Sequence, residues 1–417
     1  MEESDGEARR ETGFPADPLN MLHDVIGGVA DAAANISKGV ADIASSVFPG
    51  DGRRADDGES KPLHDDDGNP IAPEVILDDR EIKEIKELSD RYEKLTSPGA
   101  FEKLGEGAAS LLPQRIKDAA QQAAETLTEQ ELYEQMMRVV ADGFGALERA
   151  AAAATVSEQQ VLGAFESADN VKLSSLDEVC LLRGYDVARV ANGQNISHTL
   201  AALVEGGATG VVGFAGIPFN VVLSTFLYYR AVQSIAMFYG YDVKGDPAEL
   251  VIAGEVLSVA FAPSGSRLGG NVAMVGKVMA LAEAAAVGQT VKKGWAAMAQ
   301  RGGACLLIAQ MRALAHASAR KALAQTGRAG LEKSVFRNVL EQIGRRLPQK
   351  VVQRGVPIVG GVIGALFDAG QMQRVLSMAD VFYHKRFLVE KELRVVGLIS
   401  GVGLEEGLDC ILTDVGA

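Results

Sequence analysis

Residues 206–229 read GGATGVVGFAGIPFNVVLSTFLYY, a run of 24 residues without a formal charge. A second uncharged run, GVPIVGGVIGALF, occupies residues 355–367. A helix needs ~20 apolar residues to cross a bilayer, so only the first run is long enough, and its proline, asparagine and five glycines disfavour a continuous span. Three uses stay open for these runs: a buried helical hairpin, a membrane-inserting or interfacial element, and a true span.

Glycine spacing gives both runs a second property. Small residues three or four positions apart lie on one helix face and let two backbones approach closely, in lipid or in a tightly packed soluble bundle. We expect the following residues to face lipid or a partner: Gly207, Gly210, Gly213, Gly216, Pro218, Gly360 and Gly364.

The rest of the chain has helical periodicity. Apolar residues recur every three or four positions over residues 82–95, before a Ser-Pro-Gly stop at 97–99. Similar patterns cover residues 114–153, 157–167, 175–191 and 195–205. No segment alternates as a half-buried strand would. The sequence therefore predicts an all-α protein, a multi-helix bundle with two Gly-rich apolar helical hairpin segments.

Composition divides the chain into five parts. Residues 1–18 are polar and predicted to be disordered, and residues 19–49 form an amphipathic helix with a Val- and Ala-rich stripe. An acidic linker covers 50–77, a helical domain 78–400, and a tail 401–417. The amphipathic helix has few bulky apolar residues for membrane binding, so docking against the body or a protein partner is its expected use.

Charge is unevenly distributed along the chain. The protein carries a net charge of −14, which argues against general nucleic-acid binding. Residues 267–354 reverse the sign, with 15 Lys/Arg against 3 Glu. This basic block could meet an anionic lipid surface, where each basic residue contributes ~1 kcal/mol. It could equally neutralise the acidic part of the same molecule or form a solvated face.

Motifs for metal, cofactor or nucleophile chemistry are not found in the sequence. Three widely spaced cysteines make neither a disulfide framework nor a metal site, and no two histidines have the spacing of a zinc helix. We therefore predict no metal and no cofactor. The acidic first residues do not resemble a secretory signal, and with the cysteine count this favours the cytoplasm.

One polar constellation accompanies the first uncharged run. Asn220, Ser224 and Tyr228 fall on one helix face, and Arg230 lies in an otherwise uncharged stretch. An unpaired charge in such surroundings is costly. Asp242 and Asp368 are the candidate carboxylate partners of Arg230, unless its side chain extends to solvent or a lipid headgroup.

The same stretches resemble the EcsC family. Residues 205–243 contain a GxxTGxxG run, a turn with proline and a helix ending in YGYD, and residues 357–388 contain PxxGGxxGA followed by a polar residue and a long helix. The likeness covers roughly residues 90–395. It departs at Asp368, where the family pattern commonly has Asn. The family is named for a protein encoded beside an ABC-type exporter. The resemblance implies a bacterial, helical, often membrane-associated protein of a family without an agreed biochemical activity, with no catalytic residues to transfer.

These observations lead to one main expectation and two alternatives. The main expectation is an accessory factor on the cytoplasmic face of the cell membrane, peripheral or hairpin-inserting, with anionic lipids or a membrane transporter as partner. The first alternative is a soluble interaction or effector-type protein that recruits a partner through residues 19–49. The second is an enzyme acting on lipid or peptide through Arg230, Asp242 and Asp368, although no motif in the sequence itself proposes catalysis.

Overall fold

The computed structural model describes residues 63–96, 129–150, 155–193, 217–261, 275–276, 278–279, 304–344 and 360–401. Within these ranges the chain forms α-helices and one 3-10 helix, with no β-strand, which confirms the predicted all-α class. The helices are α1 Asp79–Thr96, α2 Glu129–Ala150, α3 Glu158–Asp169, the 3-10 helix Leu176–Leu181, α4 Gly184–Asn192, α5 Ile217–Phe238, α6 Pro247–Ala260, α7 Ala304–Gly344 and α8 Gly360–Ser400.

Several helix starts follow directly from capping residues. Ser157 and Gln160 form a reciprocal capping box at the start of α3. The side chain of Asp246 accepts a hydrogen bond from the amide of Ala248, with Pro247 in the first turn of α6. Such local signals satisfy amide groups that a helix leaves unpaired at its start, so these boundaries need no tertiary explanation.

Helix α8 is the axis of the bundle. Every residue from Arg374 to Lys391 is buried, because α8 packs against α1, the 3-10 helix, α4, α5, α6 and α7. A helix surrounded in this way shows no apolar stripe, since all of its faces meet protein.

A second packing unit joins α2, α5, α6 and α7. The rings of Phe144, Phe226 and Phe336 meet edge-on or tilted, with centroids 4.9–6.1 Å apart. Among the described helices, α6 and α7 make the most extensive contact. Gly254 permits it, because a β-carbon there would lie 2.6 Å from a methyl of Val335.

Helix α7 is interrupted near its middle. Gly327 has φ 68° and ψ −173°, which is outside helical geometry, so α7 consists of two helical arms. A positive φ of this kind is readily adopted only by glycine. We refer to residues 304–326 as the first arm.

The glycine-rich runs are only partly described. Residues 206–216 lie outside the described ranges, and with them Gly207, Gly210, Gly213 and Gly216. Pro218 is the second residue of α5. Gly360 begins α8, and Gly364 and Asp368 lie in the same uninterrupted helix, so a turn in the second run would have to precede Gly360. No helix in the described part of the chain is both long and apolar enough to span a membrane.

The end of the predicted acidic linker packs against the bundle. Leu77 is buried, and Leu63 and Ile76 contact the core. Asp65 organises a turn by accepting hydrogen bonds from the amides of Asp67 and Asn69. The predicted disordered terminus 1–18, the amphipathic helix 19–49 and the C-terminal tail after residue 401 lie outside the described residues.

Candidate functional site

The buried stretch of α8 carries an exceptional number of ionisable side chains. Burying a charge is expensive unless it is paired and hydrogen-bonded, so partners for the charged groups have to come largely from the surrounding helices. Eight such residues are at most 5% exposed: Arg374, Asp380, His384, Lys385, Arg386, Glu390, Lys391 and Arg394.

Glu249 of α6 anchors the first group of partners. Its carboxylate accepts two hydrogen bonds from the Arg386 guanidinium, at 2.6 and 2.8 Å. It also contacts Arg312 of α7, which pairs with Asp246 at 3.1 Å. Burial alone would raise the pKa of Glu249, but the guanidiniums of Arg386 and Arg312 lower it to about 2. The carboxylate therefore stays ionised and ties α6, α7 and α8 together.

The YGYD segment at residues 239–242 is held by the same face of α8. The Tyr241 hydroxyl donates to Glu390 at 2.9 Å, and the guanidinium of Arg386 lies 4.0 Å from the centre of its ring. Arg394 donates to the carbonyls of Tyr239 and Gly240, at 2.9 and 2.8 Å. These contacts fix the turn between α5 and α6 against α8.

Glu81 of α1 centres the second group. It accepts hydrogen bonds from Lys391 at 2.6 Å, from Arg183 at 3.0 Å and from the amide of Gly184 at 2.7 Å. The side chain of Asp78 in turn accepts from the Glu81 amide, as in a capping box. The N-terminus of α1 and that of α4 therefore meet α8 through one carboxylate. The extended backbone at Leu182 separates α4 from the 3-10 helix, where the sequence predicted one continuous helix.

Asp380 centres the third group, at the seam between α1, α4 and α8. Its carboxylate accepts hydrogen bonds from the Tyr239 hydroxyl at 2.7 Å, from Asn192 at 3.0 Å and from Arg91 at 3.3 Å. Burial and the Asp380 charge raise the pKa of Tyr239 well above its usual value. The tyrosine therefore acts as a hydrogen-bond donor and not as an acid.

His384 lies one turn after Asp380 and stacks on the Tyr239 ring, with centroids 5.6 Å apart. Its Nε2 is 3.4 Å from Oε2 of Glu84. Neither ring nitrogen of His384 nor that carboxylate oxygen has a hydrogen-bond partner among the described residues. The close approach of Gly184 leaves little room beside the imidazole, because a β-carbon there would lie 3.2 Å from Nε2.

Lys385 points away from these carboxylates. Its ammonium donates to the Ser89 hydroxyl and to the carbonyl of Met279, both at 2.8 Å. Burial lowers the pKa of Lys385 to about 8. The lysine thereby links α8 to α1 and to the segment around residue 279.

Arg230 is paired in the structure with a carboxylate that the sequence interpretation did not propose. Its guanidinium lies 2.5 Å from Glu332 of α7 and donates to Gln233 at 2.9 Å. Asp242, one of the two proposed partners, instead accepts hydrogen bonds from the amides of the two residues before Asp246. These contacts have structural roles: an interhelical ion pair and a turn.

The other members of the predicted polar constellation are only partly described. Tyr228 is buried and packs against the ring of Phe261 at 5.8 Å. The side chains of Asn220, Ser224 and Asp368 lie outside the described part of the structure.

The basic block is divided between interior and surface. Arg312 is buried in the Glu249 group, whereas Arg320 and Lys321 are exposed on the first arm of α7. The exposed Leu314 lies two turns before Lys321 on the same side of the arm. Residues 304–326 contain no acidic side chain. We call Leu314, Arg320 and Lys321 the α7 basic face.

The sequence interpretation missed the α8 network almost entirely. The i,i+4 spacing of Arg386, Glu390 and Arg394 was the one local signal, and in an isolated sequence such spacing is typical of a solvent-exposed helix face. The carboxylates of Glu81 and Glu249 lie 310 and 137 positions from their α8 partners, so nothing local identifies them.

The fold and site together define an all-α bundle organised around a buried, charged helix. The described residues contain no group of His, Cys, Asp or Glu arranged to hold a metal ion. The model of the EcsC protein family matches residues 79–388, and the chain belongs to this family. The match begins at the first residue of α1 and ends within α8, before Glu390. No curated protein and no solved structure matches the chain.

Proposed function

We propose that this EcsC-family protein is an accessory factor that binds peripherally to anionic lipid on the cytoplasmic face of the cell membrane. The observation that carries this proposal is the α7 basic face. Two adjacent cations, Arg320 and Lys321, are exposed beside an exposed leucine on a helical arm without acidic residues, in a protein of net charge −14.

The chemistry of this face suits an anionic bilayer surface. Arg320 and Lys321 would meet lipid phosphates, each contributing ~1 kcal/mol, while Leu314 would enter the interfacial region. Small residues such as Ala317 and Ala324 are also exposed on the arm, so bulky side chains do not keep its backbone from the surface. Because the attraction is electrostatic, it should weaken as salt shortens the Debye length.

The network of α8 has a supporting role in this proposal. Arg312 ties the first arm to Glu249 and Asp246, and this anchors the arm to the bundle. Arg312 is therefore unavailable for lipid, whereas Arg320 and Lys321 are free of the interior. The glycine-rich runs would add insertion to this contact, as a component that salt does not weaken.

Liposome co-sedimentation of the full-length protein tests the proposal. The protein is mixed with neutral vesicles or with vesicles containing anionic lipid, across a salt series. We expect binding that requires anionic lipid and fades with salt. Arg320→Gln with Lys321→Gln should weaken it about 30-fold, from roughly 1 kcal/mol per residue.

A matched control removes the same charge elsewhere. Lys83 and Lys86 are exposed on α1, and Lys83 pairs with Glu87 at 3.4 Å. Lys83→Gln with Lys86→Gln should therefore leave vesicle binding nearly unchanged. Equal losses of vesicle binding in both double variants, or no vesicle binding at any salt, would overturn the lipid proposal. Binding to a membrane transporter would then be the hypothesis to test. Binding that survives high salt would assign the contact to the glycine-rich runs.

A further inference from the structure

An exposed apolar patch surrounds the point where the described chain begins and ends. Leu63 and Leu398 pack against a small cluster formed by Cys180, Leu181 and Val395, separate from the main core. Four of the five large hydrophobic residues that are exposed in the described ranges are neighbours, along the chain or through a backbone hydrogen bond, of residues in or against this cluster. They are Ile71 (40% exposed), Val75 (53%), Val396 (51%) and Ile399 (46%), which we call the terminal patch.

Chain geometry places each member of the terminal patch next to a residue in or against the cluster. The amide of Ile71 donates to the carbonyl of Leu63 at 2.8 Å, and Val75 precedes Ile76, which contacts the cluster. Val396 and Ile399 are three positions apart on α8 and therefore share a face. Exposed apolar side chains that are grouped in this way mark an interaction surface more often than isolated ones.

We propose that the terminal patch is the docking surface for residues 19–49 of this same chain. That segment is predicted to be an amphipathic helix, and a helix of this kind binds by laying its apolar face on a hydrophobic surface. Its apolar stripe consists of Leu22, Val25, Ile26, Val29, Ala33, Ile36, Val40, Ile43 and Val47.

The length of the connection favours this occupant. Residues 50–62 alone separate the segment from Leu63, which already lies in the cluster beside the patch. A connection of this length can span at most about 45 Å. So short a connection holds the segment at a millimolar effective concentration near the patch. A separate partner would have to exceed this concentration to displace the segment. The docking involves neither the α7 basic face nor lipid, so it stands independently of the proposed function.

Hydrogen–deuterium exchange of the full-length protein tests the docking. Amides of residues 19–49 should be protected in the wild type, and Val396→Asp with Ile399→Asp should raise their exchange rates at least tenfold. Val396→Ser with Ile399→Ser provides a milder version should the charged pair disturb α8. Reciprocally, Val29→Asp with Ile36→Asp should raise exchange around residues 71–76 and 396–400.

A matched control and a dilution series decide between occupants. Leu314→Asp adds a charge at the fifth exposed hydrophobic residue, and it should leave exchange of residues 19–49 unchanged. Equal exchange of residues 19–49 in the wild type and both patch variants would overturn the proposal. Protection that decreases on dilution would also overturn it, because it would assign the contact to a second copy of the chain.

Discussion

Replacing Glu249 by Gln should strongly destabilise the protein. Glu249 is 2% exposed and faces two guanidiniums, of which Arg386 is fully buried. The amide of Gln keeps the shape but removes the negative charge. Arg386 would then be left in the interior with Glu390 as its remaining carboxylate, at 3.2 Å.

Two estimates of the cost agree. The pKa of Glu249 falls from 4.5 to about 2, and at about 1.4 kcal/mol for each pKa unit this corresponds to about 3 kcal/mol. Removing one partner of a buried ion pair costs roughly 3–5 kcal/mol. We therefore expect the free energy of unfolding at pH 7 to fall by at least about 3 kcal/mol.

Acid should abolish much of this difference. Because the folded-state pKa of Glu249 is depressed, its stabilising contribution is complete above the unfolded value of 4.5 and is lost as the pH falls towards 2. By pH 3, about 2 kcal/mol of the contribution should be gone. The stability of the wild type should therefore approach that of Glu249→Gln on acidification.

Urea unfolding followed by far-UV circular dichroism, at pH 7 and pH 3, measures both effects. Glu341→Gln is the control, because Glu341 forms an exposed pair with Arg337, and such pairs contribute ~0–1 kcal/mol. A Glu249→Gln protein within 1 kcal/mol of the wild type at pH 7, with an unchanged urea dependence, would refute the reasoning. A difference that does not narrow at pH 3 would refute the pKa argument specifically.

Three further substitutions test other contacts. Gly240→Ala should lower the urea midpoint by more than Gly68→Ala. Both glycines have positive φ, which costs an alanine ~1–2 kcal/mol, but only at Gly240 would the β-carbon meet a backbone carbonyl, at 2.7 Å. Equal effects of the two substitutions would contradict the close contact at Gly240. Burial raises the pKa of Glu255 to about 7, so the wild type loses stability as the pH rises from 4.5 to 7. Glu255→Gln should therefore melt several degrees higher than the wild type at pH 8 but not at pH 4. A gain of the same size at both pH values would exclude the ionisation of Glu255 as its cause. Tyr239→Phe removes a hydroxyl that donates to the buried Asp380 at 2.7 Å. The free energy of unfolding in urea should fall by ~1–3 kcal/mol. An unchanged midpoint would mean that the hydrogen bonds from Asn192 and Arg91 are enough to stabilise the Asp380 carboxylate.

Elements with a local signal could be predicted from the sequence. Helix α1 has apolar residues on one face, and a proline follows it, so its predicted extent agrees closely with Asp79–Thr96. Helix α3 has its own capping box. In both, the information that sets the boundary lies within a few residues of it.

The candidate site could not be predicted in the same way. A helix rich in Arg, Lys and Glu is normally exposed, and only tertiary packing decides that Arg386 and Lys391 are fully buried. The pairing of Arg230 with Glu332 likewise joins α5 and α7 across about a hundred residues. Electrostatic partners of this kind follow from the helix arrangement, which the periodicity of a single segment does not contain.

The central position of α8 also affects folding during synthesis, because the ribosome makes the chain from its N-terminus. Glu81 is synthesised 310 residues before Lys391, an interval of roughly 15–60 s at 5–20 residues per second. Until α8 is made, the carboxylates of α1 and α6 lack their cationic partners on α8, and the groove for α8 is uncovered. Nascent chains that stop before α8 should therefore be the forms most dependent on chaperones, whereas synthesis of α8 supplies the missing partners of both carboxylates.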